Sequence, residues 1–130
     1  MGRKTLAVAA RLQQLAKEKG NQLTPLQLIK LVYLCHGWML GLYGRPLLDE
    51  PVEAWKYGPV IPSLYQALKR YGSASVNEPI ECAVDFDEEE EDVIRQVFEA
   101  YGDLNGVALS SLTHRADTPW AITWNSLGRS

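Results

Sequence analysis

Apolar positions return every three or four residues near the start of the chain. Val8, Leu12, Leu15 and Ala16 share one face and Arg11, Gln14, Lys17 and Glu18 the other, the period of an amphipathic helix. Thr5 is placed to cap it, Met1 to Lys4 reads as a loose start, and Gly20-Asn21 after Lys19 reads as its stop. Thr24-Pro25-Leu26-Gln27 joins an N-cap, a proline at the first helical position and a glutamine able to close a capping box. A second helix is therefore expected from there to Tyr43, stopping at Gly44. Leu28, Ile29, Leu31, Val32, Leu34, Cys35, Trp38, Met39, Leu40 and Leu42 leave it almost no polar face, which predicts a central helix surrounded by the others. Gly37 and Gly41 stand four apart within it. Each costs about 1 kcal/mol against alanine, so close approach of a neighbouring backbone is expected to offset them.

The period then changes from helical to alternating. In Glu53-Ala54-Trp55-Lys56-Tyr57-Gly58-Pro59, Trp55 and Tyr57 would face the same way in an extended strand that Gly58-Pro59 ends. Ile80, Cys82, Val84 and Phe86 alternate with Glu81, Ala83 and Asp85, a half-buried strand expected to pair with the segment around 52–57. Between them a helix is expected from Pro62 to Tyr71, stopping at Gly72, followed by a loop over 73–79. The acidic block Asp87 to Asp92 precedes Val93, Ile94, Val97 and Phe98. Asp87 with Glu90 forms a capping-box pattern and carboxylates favour the positive end of a helix dipole, so the block reads as the first turn of a helix ending at Gly102. A short helix from Gly106 or Val107 to Thr113 and another starting at Thr118-Pro119-Trp120 complete the chain. The fold class expected is mainly α (α+β): a compact helical domain around a buried central helix with a small antiparallel β-sheet, residues 1–130 forming one domain.

Composition narrows the function. The 130 residues are 46% hydrophobic and 22% charged, ordinary for a soluble globular chain and enough to build a core without a disulfide or metal. A formal net charge of −3 argues against holding nucleic acid mainly by neutralising phosphates, so DNA-binding autoregulation would need a concentrated Lys/Arg face. Cys35 and Cys82 lie in apolar surroundings and no secretory signal precedes the first helix, which fits free, buried thiols in a cytoplasmic protein. The run Leu26 to Tyr43 reaches the lower length of a membrane span, but Gln27, Lys30 and His36 interrupt it.

Candidate chemistry is sparse. No metal-ligand spacing, phosphate-binding glycine loop, nucleophile elbow or zincin pattern occurs, so no catalytic residue, metal or cofactor is expected. Two constellations are open. Trp55, Tyr57, Gly58 and Pro59, with His114 and Trp120, are candidates for a rigid partner-binding surface, aromatics being common interface anchors; the same aromatics could equally cap the core. Lys30, His36 and Glu53, with His114, are candidates for a polar pocket of a small-ligand-binding protein or enzyme. His36 also fits a satisfied core or boundary histidine, and His114 a contact at a helix end.

Several stretches together resemble one family. These are Leu23-Thr24-Pro25-Leu26-Gln27-Leu28-Ile29-Lys30-Leu31-Val32-Tyr33, His36-Gly37-Trp38, Gly44-Arg45-Pro46-Leu47, Glu53 through Tyr65, Leu112-Thr113-His114 and Pro119-Trp120. In combination they resemble the Panacea-domain family, which includes SocA-like antitoxins and phage-associated GepA-like proteins. The resemblance implies a helical domain with a small sheet, encoded by bacteria or their prophages, that binds a cognate toxin from an adjacent gene. Its action would be direct neutralisation or, as in SocA-like members, delivery of the toxin to the ClpXP protease. It implies no catalytic residues.

Overall fold

The computed structural model describes residues 3–55, 58–82 and 85–113. The order of elements is α1 (Arg3–Glu18), α2 (Pro25–Tyr43), β1 (Glu53–Trp55), β2 (Gly58–Val60), α3 (Pro62–Leu68), α4 (Glu88–Tyr101) and α5 (Gly106–Thr113), with a 3-10 turn at Lys69–Tyr71 extending α3. The fold is mainly α.

Helix boundaries follow local chemistry. At the start of α2 the Gln27 N–H donates to Thr24 Oγ1 at 3.2 Å and the Thr24 N–H donates to Gln27 Oε1 at 2.9 Å, closing the capping box. The other end of that glutamine, Nε2, donates to Leu104 O at 3.0 Å and ties the head of α2 to the turn between α4 and α5. Gly44 ends α2 in the left-handed region, φ 68°, where a side chain would be strained, and its N–H returns to Leu40 O. At α4 the Glu90 N–H donates to Asp87 Oδ1 at 2.8 Å and the Asp87 N–H to Glu90 Oε1 at 3.0 Å. The acidic block is thus a helix start, and cations from elsewhere answer it. Arg11 of α1 grips Glu91 through Nε and Nη2, while Arg45 reaches Asp87 at 2.7 Å and Glu89 at 2.9 Å. Thr5 departs from the expected role. The helix begins at Arg3, so Thr5 lies inside the first turn and is fully buried; its hydroxyl donates to Glu50 Oε2 at 2.5 Å instead of capping.

α2 lies among α1, α4 and α5, with α3 and β2 against its first half. Val8 and Leu12 from α1, Leu28, Leu31, Val32 and Cys35 from α2, Val93 and Ile94 from α4, and Leu109 from α5 are all fully enclosed. Burying each such leucine or valine favours folding by about 1.5–3 kcal/mol. Enclosure does not continue to the end of α2. Trp38, Leu40, Leu42 and Tyr43 are 40%, 46%, 52% and 38% exposed, and only Met39 in that stretch is buried. The expectation of a helix buried along its length is corrected there, and so is the reading of Gly41: a Cβ at that position would meet nothing. Close approach occurs at Gly106, where a Cβ would come within 2.6 Å of Leu26 Cδ2, bringing α5 hard against the head of α2.

The strands pair differently from expectation. β1 and β2 form a two-stranded antiparallel hairpin with Glu53 opposite Val60, Ala54 opposite Pro59 and Trp55 opposite Gly58. Gly58, at φ 112°, lets the chain reverse, so Gly58-Pro59 opens the second strand where it was expected to end the first. Residues 80–82 and 85–86 form no strand. Alternation there reports a half-buried extended segment lying along α1, whose side chains take the place of a partner strand. Gln13 Oε1 accepts from the Ile80 N–H at 2.8 Å, Gln13 Nε2 donates to Glu78 O at 2.8 Å and Val76 O at 3.2 Å, and the Cys82 thiol donates to Arg3 O at 3.2 Å. Cys82 is accordingly half-buried rather than enclosed; it and Cys35 are both free thiols. The helix expected to start at Thr118 lies outside the described residues.

Candidate functional site

Lys30 is the anomaly of the core. It projects from α2 toward the hairpin, is 1% exposed, and donates from Nζ to Pro59 O at 3.0 Å. Burial disfavours the charged ammonium and brings its pKa from 10.5 down to about 8. A carbonyl in β2 is a suitable acceptor because this strand has a partner on one side only, which leaves carbonyls on its other edge to side-chain donors. Gly58 and Pro59 are both buried. Beside Lys30 a cavity of about 340 Å³ is lined by Pro25, Leu26, Ile29, Val60, Tyr65, Lys69 and Gly72, mostly apolar.

His36 faces another part of the chain. Its Nδ1 accepts from the Leu47 N–H at 3.3 Å and the Leu48 N–H at 3.2 Å. Both bonds need the unprotonated nitrogen, and burial lowers the pKa of the ring below its ordinary 6.5, favouring the same neutral form. At about 100° per residue, Lys30 and His36 point about 120° apart around α2. The helix thus directs Lys30 to β2 and His36 to the connection at 47–48, each engaged with backbone. Glu53 begins β1 on the exposed side. Trp55 closes β1 opposite Gly58. Tyr57, His114 and Trp120 lie outside the described residues. Cys35 is no nucleophile in this setting, because complete burial raises its thiol pKa. Among the described residues no group of His, Cys, Asp or Glu is placed to hold a metal ion, and no helix is long and apolar enough to cross a membrane.

A second region was not singled out by sequence reasoning. Trp38 and Leu42 of α2 face Val93, Gln96, Val97, Ala100 and Tyr101 of α4 across an open groove of about 160 Å³. Beside it Tyr43 donates its hydroxyl to Asp92 Oδ2 at 3.3 Å, and Gln96 Nε2 donates to the same oxygen at 2.6 Å. The signal was present in α2 itself, which is apolar on more faces than its neighbours cover.

α2 from Leu28 onward, the hairpin and α3 to α5 lie within a region recognisable in other proteins. A family model described as "Antitoxin SocA-like, Panacea domain" matches residues 28–121. Antitoxin SocA of Caulobacter vibrioides (strain NA1000 / CB15N) is 29% identical over 133 aligned positions, covering 94% of this chain and 71% of that protein. No solved structure matches.

Proposed function

The chain belongs to the SocA-like antitoxin family with a Panacea domain, and from that premise we propose that it is the antitoxin of a bacterial or prophage toxin–antitoxin pair, acting by binding its toxin. The observation that carries this reading is the match over residues 28–121, which takes in α2, the hairpin, α3 and α4 and so the whole scaffold around the buried Lys30–Pro59 contact. The chemistry of the buried groups agrees with a binding protein. Lys30 and His36, two of the groups singled out for a polar pocket, bond to Pro59 O and to the Leu47 and Leu48 N–H groups in separate places. Binding comes first in either mode of action: the complex blocks the toxin, or it presents the toxin to the ClpXP protease.

Co-expression with the protein encoded by the neighbouring gene tests the reading. The neighbour alone is expected to arrest growth, and this chain to restore growth and co-purify with it. A harmless neighbour, or one that stays toxic and unbound, refutes the proposal. A pulse-chase of the toxin with and without ClpX separates the modes, since delivery shortens the toxin's lifetime only when this chain and ClpX are both present.

A further inference from the structure

Trp38 and Leu42, one helical turn apart, leave an apolar strip in water at the end of α2, and the groove against Val93, Val97 and Ala100 continues it onto α4. Both walls are helices tied to the core, so the strip is presented rigidly, as an interface anchor requires. The charge beside it has one sign. Glu88, Asp92 and Glu99 are exposed along α4 outside Gln96, and among the described residues no cation pairs with any of them. Arg45 is held by Asp87 and Glu89 at the helix start, and Arg95 is held by Glu91 on the side facing α1.

The geometry points to the α2–α4 groove as the docking site for an amphipathic helix of the toxin, apolar on one face and edged with lysine or arginine. This rests on the antitoxin reading and adds where the toxin is held and what chemistry it presents. Apolar side chains of that helix fill the space between Trp38 and Ala100, while its cations lie over Asp92 and Glu99 and set its direction. A second copy of this chain fits poorly, since its own acidic row and net charge of −3 would meet like charge.

Placing photoreactive benzoylphenylalanine at Leu42, which is 52% exposed, and irradiating the complex with the neighbouring gene's product reads the occupant directly. The expected adduct joins one copy of each protein through a toxin segment whose apolar residues recur every three or four positions, with lysine or arginine beside them. Leu42→Glu and Gln96→Lys are each expected to weaken binding about tenfold or more with the circular dichroism unchanged. Asp92→Asn combined with Glu99→Gln is expected to flatten the salt dependence of the affinity. The proposal is overturned if the cross-link falls on a second copy or on residues 114–130 of the same chain, or if both single variants bind within about twofold of the unaltered protein. Unaltered protein that binds no toxin removes the antitoxin reading and the groove's occupant together; unaltered protein that binds while both variants bind equally removes the groove alone.

Discussion

The two ends of α2 carry nearly the same kind of sequence and have opposite fates. From Leu28 to Cys35 every residue is buried, Lys30 included, whereas from Trp38 to Tyr43 only Met39 is. The difference comes from what surrounds the helix. β2 and α3 add to the cover of the first half, where Lys30 reaches Pro59 and Pro25, Leu26 and Ile29 line a cavity with Val60 and Tyr65, whereas in the second half Trp38 and Leu42 face α4 across an open groove. Hydropathy alone thus reports what a helix can bury, and the number of neighbours decides what it does bury.

Truncation in the enclosed half should have the largest effect. Leu31→Ala, at a position with no solvent exposure, is expected to cost about 2–5 kcal/mol in urea unfolding, the transfer loss plus a cavity that the surrounding core only partly collapses to fill. Lys30 tests the same enclosure through pH. Its folded pKa near 8 lies below the ordinary 10.5, so between these values the unfolded chain binds the extra proton and stability attributable to this group rises with pH. Relative to Lys30→Met, the unaltered protein should gain as pH goes from 7 to 10.5, by up to about 3 kcal/mol at 1.36 kcal/mol per pKa unit. A flat difference would mean that Lys30 is solvated and the enclosed half of α2 is open on the hairpin side.

His36 stands at the border between the halves and should show an intermediate effect. His36→Ala strands the Leu47 and Leu48 N–H groups in a partly buried place, at a cost of about 1–2 kcal/mol. With a folded pKa below 6.5, the unaltered protein binds fewer protons than its unfolded chain in mild acid. It should therefore lose stability as pH falls through 6.5 toward that lower value, and the alanine variant should lack this component.

Much of the helical fold was legible because its signals are local. The caps at Thr24 and Asp87, the stop at Gly44 and the break at Gly72 depend on residues within one turn of each other. The extended segment after Pro79 was misread as a strand because alternation is the same whether the partner is a strand or the Gln13 amide of a helix 67 positions away in sequence. Thr5 was misread for a related reason, since its buried hydroxyl is answered by Glu50, 45 positions on. The site was less legible still. Lys30 and His36 share a helix, and only the positions of Pro59, Leu47 and Leu48 show that they serve different segments. The groove has no motif at all, being the gap left where Trp38 and Leu42 of α2 meet α4 without filling the space between them.

Leu42→Ser should have the smallest effect on stability and tests the comparison most directly. It removes an isobutyl group that is already 52% in water, so little burial is lost, and the lower helix propensity of serine costs a few tenths of a kcal/mol. A change within about 0.5 kcal/mol is expected, against several for Leu31→Ala on the same helix by the same denaturation curve. A cost above about 1.5 kcal/mol would place Leu42 under cover in solution, beneath residues of this chain beyond those described or beneath a second copy. Repeating the measurement over a hundredfold range of protein concentration tells the two apart, because stability that depends on self-association rises with concentration and stability from an intramolecular cover does not.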